Sequence, residues 1–92
     1  MRSYASIDKI EGKYAVCEVE LVPVEESKAN DFANKDCKTM EVFLQEVLDC
    51  VGDAKEGDIL VVEHDRENVN LIYKNDEEEK ERRLKVLRSI MS

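Results

Sequence analysis

From Tyr4 to Leu21 apolar and polar residues alternate in the two-residue rhythm of a strand. Ile7-Asp8-Lys9-Ile10 runs into Glu11-Gly12-Lys13, a turn in which Gly12 supplies a positive φ at no steric cost. On the return, Ala15, Cys17, Val19 and Leu21 share one face, while Glu18 and Glu20 point the other way, toward water. That pattern predicts a β-hairpin with one buried face and makes Cys17 a small core residue. Further on, Ile59-Leu60-Val61-Val62-Glu63 is apolar on both faces, which predicts a central strand. Turns at Lys55-Glu56-Gly57-Asp58 and Asp65-Arg66-Glu67-Asn68 bound it. Val69-Asn70-Leu71-Ile72-Tyr73 returns as its partner, with Val69, Leu71 and Tyr73 on one face.

Between the two hairpins the rhythm breaks. Pro23 cannot donate to a ladder, and residues Glu25 to Lys38 are polar, with Ser27, Asn30, Asp31, Asn34 and Asp36 among them. They predict a long surface loop over about 22–38, with Phe32 as its contact to the body. Thr39 to Val51 carries two periods at once. Met40, Phe43, Leu44, Val47, Leu48 and Val51 recur at helical spacing, and Gly52 suits the position after a helix, yet Met40, Val42 and Leu44 alternate. A strand over 39–44 and a helical turn over 45–50 is the expectation; one helix across the segment is the alternative.

The last segment, 75–92, reads as a helix. Asn75 caps it and Glu78 completes a capping box. Asp76 to Glu79 crowd its positive end, and Arg82, Arg83, Lys85 and Arg88 follow toward the negative end. Asp76–Lys80, Glu78–Arg82, Glu79–Arg83 and Glu81–Lys85 have the spacing of favourable pairs. Its apolar residues, Leu84, Val86, Leu87, Ile90 and Met91, come only in the second half, so the first half has nothing apolar to bury. The whole predicts a mainly β (α+β) fold in a single domain. Residues 1–74 form a small curled antiparallel sheet or an SH3/OB-like barrel of four to five strands, and the C-terminal α-helix completes it.

Composition narrows what such a domain does. With 92 residues, 22 acidic and 14 basic, the formal charge is −8. Residues 1–74 hold 17 acidic and 9 basic side chains and therefore all of that excess; 75–92 hold five of each. A body of that charge repels phosphate backbones and anionic lipid surfaces, which argues against nucleic acid and membrane as partners. No run approaches the roughly 18 apolar residues of a membrane span. The N-terminal residues lack the apolar stretch of a secretory signal, and three cysteines at spacings of 20 and 13 form no metal or redox motif. A cytoplasmic location is the expectation.

Three patterns, taken in order, resemble one family. They are Ile7-Asp8-Lys9-Ile10-Glu11-Gly12-Lys13-Tyr14-Ala15-Val16-Cys17-Glu18, then Ala54-Lys55-Glu56-Gly57-Asp58-Ile59-Leu60, then the charged helix from Asp76 to Met91. The family is a small bacterial one known as a domain of unknown function (number 3006). The resemblance implies a small β-barrel with a C-terminal helix and brings no catalytic or ligand-binding residue with it. The Val22-to-Lys38 connection is longer here, and the strand at 39–44 lacks the proline the family often keeps.

Candidate chemistry is thin. Asp8, Glu18 and Glu20 are the carboxylates nearest to an acid–base pair, and solvated strand faces account for them. Asp49, Asp53, Glu56 and Asp58 cluster without EF-hand spacing and read as turn residues rather than calcium ligands. His64 reads as an exposed turn residue, and Cys37 as the thiol most open to solvent. No nucleophile–base pattern, phosphate loop or dinucleotide fingerprint is present. No enzyme, cofactor or metal is therefore expected. The expected function is a protein-interaction module that meets a protein partner or a second copy through Leu84, Leu87, Ile90 and Met91. The alternative is an accessory domain whose helix closes its own barrel in cis. A metal-binding or hydrolytic role for the acidic clusters stands third.

Overall fold

The computed structural model describes residues 1–29 and 36–91, with the backbone alone described for Lys28, Ala29, Ile90 and Met91. Five strands form one antiparallel sheet: β1 (Arg2–Glu11), β2 (Tyr14–Glu20), β3 (Cys37–Phe43), β4 (Ile59–His64) and β5 (Val69–Asn75). Three helices accompany them: α1 (Val24–Ala29), α2 (Leu44–Val51) and α3 (Glu77–Met91). The strand order is β3-β2-β1-β4-β5, so the N-terminal strand lies at the centre, between its own hairpin partner and β4. Of the two arrangements expected, the sheet adopts the curled open one. Lys38 on edge strand β3 reaches the Arg66 carbonyl in the β4–β5 turn at 2.7 Å. No ladder among the described residues closes the two edges into a barrel.

Alternation decides which side chains enter the main core. Ala5 and Ile7, then Ala15, Cys17 and Val19, then Met40 and Val42, then Leu60, Val62 and Ile72 all point to the inner face, where α2 adds Val47. Each buried Val, Leu, Ile or Met side chain among them contributes roughly 1.5–3 kcal/mol, so this face supplies most of the apolar burial. The outer face carries a smaller cluster of Tyr4, Ile59 and Val61, with Val24 of α1 packed against them. Bulges adjust the pattern. Asp8 is the extra residue between Ile7 and Lys9 in the β1–β2 register, and it turns the strand so that Ile10 also packs on the inner core.

The segment after β2 is not all loop. Val24–Ala29 is a short helix directly after Pro23, with Glu25 and Glu26 in its first turn, where carboxylates suit the helix dipole. Six residues are too few to show a helical period in sequence. The expected anchor Phe32 lies outside the described residues. The 39–51 segment divides as a strand and then a helix, not as one helix. Met40 and Val42 enter the core from β3, and Val47 enters it from α2, which ends in Gly52 with φ 82°. That conformation favours glycine.

Three other expectations are corrected. Leu21 lies past the end of β2 and is exposed, whereas Glu20 is buried, because α1 and α3 cover the end of the outer face that should have faced water. In β5, Ile72 is the buried residue and Leu71 and Tyr73 are exposed; register shifts against β4 reset the alternation. His64 is 4 % exposed rather than open: Nδ1 meets the Asp65 carbonyl at 2.7 Å and Nε2 meets Ser3 Oγ at 2.9 Å. A carbonyl only accepts, so Nδ1 carries a proton.

Candidate interaction surface

Helix α3 begins where β5 stops pairing with β4, and it is capped one residue later than its sequence suggests. Asp76 Oδ1 accepts the Glu79 N–H at 3.1 Å, and the Asp76 carbonyl accepts the Lys80 N–H at 3.1 Å. The Asp76 N–H donates to Ile59 O at 2.7 Å, which ties the helix start to β4. Asn75, still in the strand and paired with Leu60, instead sends Nδ2 to Asp58 Oδ2 at 3.0 Å. Asp58 is 2 % exposed and also accepts Lys80 Nζ at 2.9 Å and the Lys55 N–H at 3.0 Å. Burial alone pushes its carboxyl up. The donors from Lys80, Lys55 and Asn75 outweigh that and hold it below the usual aspartate range.

One turn on, a second polar anchor fixes the helix to the outer sheet face. Glu79, 3 % exposed, receives both Arg82 Nε (2.8 Å) and Nη2 (2.7 Å), and Arg83 Nε at 2.7 Å. Arg83 then bridges to β2, with Nη1 3.0 Å from Glu20 Oε2. Ser27 of α1 donates to Glu20 Oε1 at 2.6 Å and accepts Arg83 Nη2 at 3.3 Å. The guanidinium lies 5.0 Å from the centre of the Tyr4 ring. Burial, reinforced by Glu79 and Asp76, pushes the Tyr4 hydroxyl up to about 12. Glu79 itself is raised by burial and lowered further by Arg82 and Arg83, for a net value below the ordinary one. Thus the first half of α3 does bury something, but what it buries is charge. Burial on this scale requires paired partners, and each carboxylate has them.

Beyond Arg83 the character of the helix changes. Leu84 and Leu87 are each 41 % exposed, Val86 is half-buried, and Lys85 and Arg88 are exposed. Of the four residues expected to meet a partner, Leu84 and Leu87 thus lie open to solvent. Ile90 and Met91 continue the helix, but their side chains lie outside the described residues. Sequence periodicity located this tail. It missed Tyr4, Glu20, Ser27 and Arg83, which hold the helix in place. The one signal for them was an i,i+4 Glu79–Arg83 pair indistinguishable from its neighbours.

The remaining candidates are dispersed. Glu18 accepts Thr39 Oγ1 at 2.7 Å, far in role from Glu20, and Asp8 sits exposed in the bulge. Asp49 accepts Gln45 Nε2, Asp53 accepts the Ala54 N–H and Asp58 belongs to the helix anchor. Among the described residues no group of three or more His, Cys, Asp or Glu side chains is placed to hold a metal ion. Cys37 and Cys50 are exposed, while burial pushes the Cys17 thiol up to about 11. A cleft of about 520 Å³ lies between the β1–β2 turn and α2, lined by Gly12, Lys13, Phe43, Leu44 and Leu48 among others. Tyr14 and Phe43 stack at its edge, 5.0 Å between centroids. No described helix is long and apolar enough to cross a membrane. No family model, no curated protein and no solved structure matches the chain.

Proposed function

We propose that the protein is a non-catalytic interaction module whose association surface is the C-terminal half of α3. The observation that carries this is the division of the helix at Arg83. Residues 76–83 are bonded to β2, β4 and α1, whereas Leu84 and Leu87 project their side chains into solvent. The body's negative charge supports a protein partner over nucleic acid or an anionic membrane. The resemblance to the unknown-function family (number 3006) rests on the sequence patterns of the hairpin, the Gly57-Asp58 turn and the charged terminal helix, and membership of it is part of the proposal.

A specific observation favours a second reading, an accessory domain that uses its helix in cis: the first half of α3 is built into its own fold through Glu20, Glu79 and Arg83. The two differ in what the tail leucines do. In the double variant Leu84→Gln/Leu87→Gln, measured in dilute solution, an association surface leaves Tm within about 3 °C, since exposed substitutions rarely exceed ~0.5 kcal/mol. A tail packed on its own core loses roughly 2 kcal/mol or more and Tm falls by about 10 °C. Differential scanning calorimetry decides; the larger drop removes the interaction reading.

A further inference from the structure

The face that α3 leaves open has a direction. Glu77, Glu81, Leu84, Leu87 and Arg88 are all exposed, and their spacings of four, three, three and one place them along one side of the helix. That side is acidic at its N-terminal end, apolar in the middle and basic at its C-terminal end, where Lys85 flanks it. Such an order complements itself when a second copy is laid antiparallel. Leu84 then faces the partner's Leu87 across a two-fold axis, and Glu81 faces the partner's Arg88 just outside that apolar pair. A parallel arrangement would set acid against acid and base against base. The other cations of this stretch, Lys80, Arg82 and Arg83, are engaged with Asp58 or Glu79 within the same chain, so the polarity of the open face rests on Glu77, Glu81, Lys85 and Arg88.

Resting on the association surface proposed above, we infer that its partner is a second copy of this chain, paired antiparallel through α3 in an isologous dimer. Two leucines per copy make a small apolar centre, so the dimer is a weak one whose register is set by the Glu81–Arg88 contacts, each formed twice by symmetry. Charge reversal tests the register directly. Sedimentation velocity of the full chain, from about 10 µM to about 1 mM, follows the monomer–dimer equilibrium, with far-UV circular dichroism confirming that each variant is folded.

Glu81→Lys and Arg88→Glu are each expected to weaken dimerisation roughly tenfold, and Arg88→Gln by less, because it removes an attraction without adding a repulsion. Glu81→Lys and Arg88→Glu together restore the wild-type dimer to within about threefold, since the reversed pair is again complementary. A chain that stays monomeric throughout overturns the proposal, as does a dimer indifferent to either single reversal. A dimer weakened by both reversals but not restored by their combination places the tail against another surface, such as the Phe43–Leu48 cleft, and equally overturns it. These failures are distinct from that of the interaction module. A monomeric chain whose leucine double variant keeps its Tm still has an open association surface, with a partner other than itself.

Discussion

Arg83 shows why burial, and not charge alone, determines what a side chain does here. Its neighbours Arg82 and Lys85 differ little from it in sequence, yet it is Arg83 that joins Glu79 of its own helix to Glu20 of β2 and Ser27 of α1 above the Tyr4 ring. The carboxylates that anchor α3, Glu79 beside Arg83 and Asp58 beside Lys80, give the fold a pH dependence with a defined sign. The folded values for Glu79 and Asp58 lie below the unfolded ones, so their stabilisation is fully present above the ordinary carboxylate range and is lost as pH falls through the folded values. The urea midpoint is therefore expected to stay flat from pH 7 to about 5 and to fall steeply below about pH 4.5. Glu79→Gln should start lower at pH 7 and lose less on acidification. Cys17 was legible as core because alternation alone places it there. Glu20 and His64 were not: alternation assigns a residue to a face but says nothing of the helix or strand end that later covers that face.

At the scale of elements, most boundaries follow from punctuation that sequence displays. The Gly12 turn, the Gly52 helix end and the β4 run of β-branched residues all stand where their physics requires. One element and one helix start were hidden, for different reasons. Helix α1 is too short for its period to register, and α3 starts one residue later than its first capping residue because β5 holds Asn75 in the ladder. Asp76 is thus the cap of α3. Asp76→Ala removes the acceptor for the Glu79 N–H and should lower stability by about 1–2 kcal/mol in urea denaturation. Asp76→Asn, which keeps the side-chain oxygen, should recover most of the loss. Equal losses for both variants would mean that charge, not capping, is what Asp76 supplies.

Across the whole molecule, the sheet's inner face provides the core and its outer face provides the dock for α3. The five strands were legible one by one, but their order was not. Placing β1 between β2 and β4 depends on pairing across more than 50 residues, and local periodicity carries no trace of that. The charge distribution also gains a structural meaning. The acidic body retains the excess of −8, while residues 75–92 are neutral in sum and α3 is divided in kind: a polar half bonded to the fold and a half that presents Leu84 and Leu87. That division defines the helix, and residue-resolved amide hydrogen exchange of the dilute full chain measures it. The expected result is that amides 80–84, whose helical acceptors lie in the anchored turn, exchange nearly as slowly as those of β1 and β4, with protection falling off sharply beyond residue 86. Slow exchange sustained to the end of α3 in the dilute chain would show a tail packed in cis, and fast exchange throughout α3 would show a helix not anchored at all; either result would contradict it.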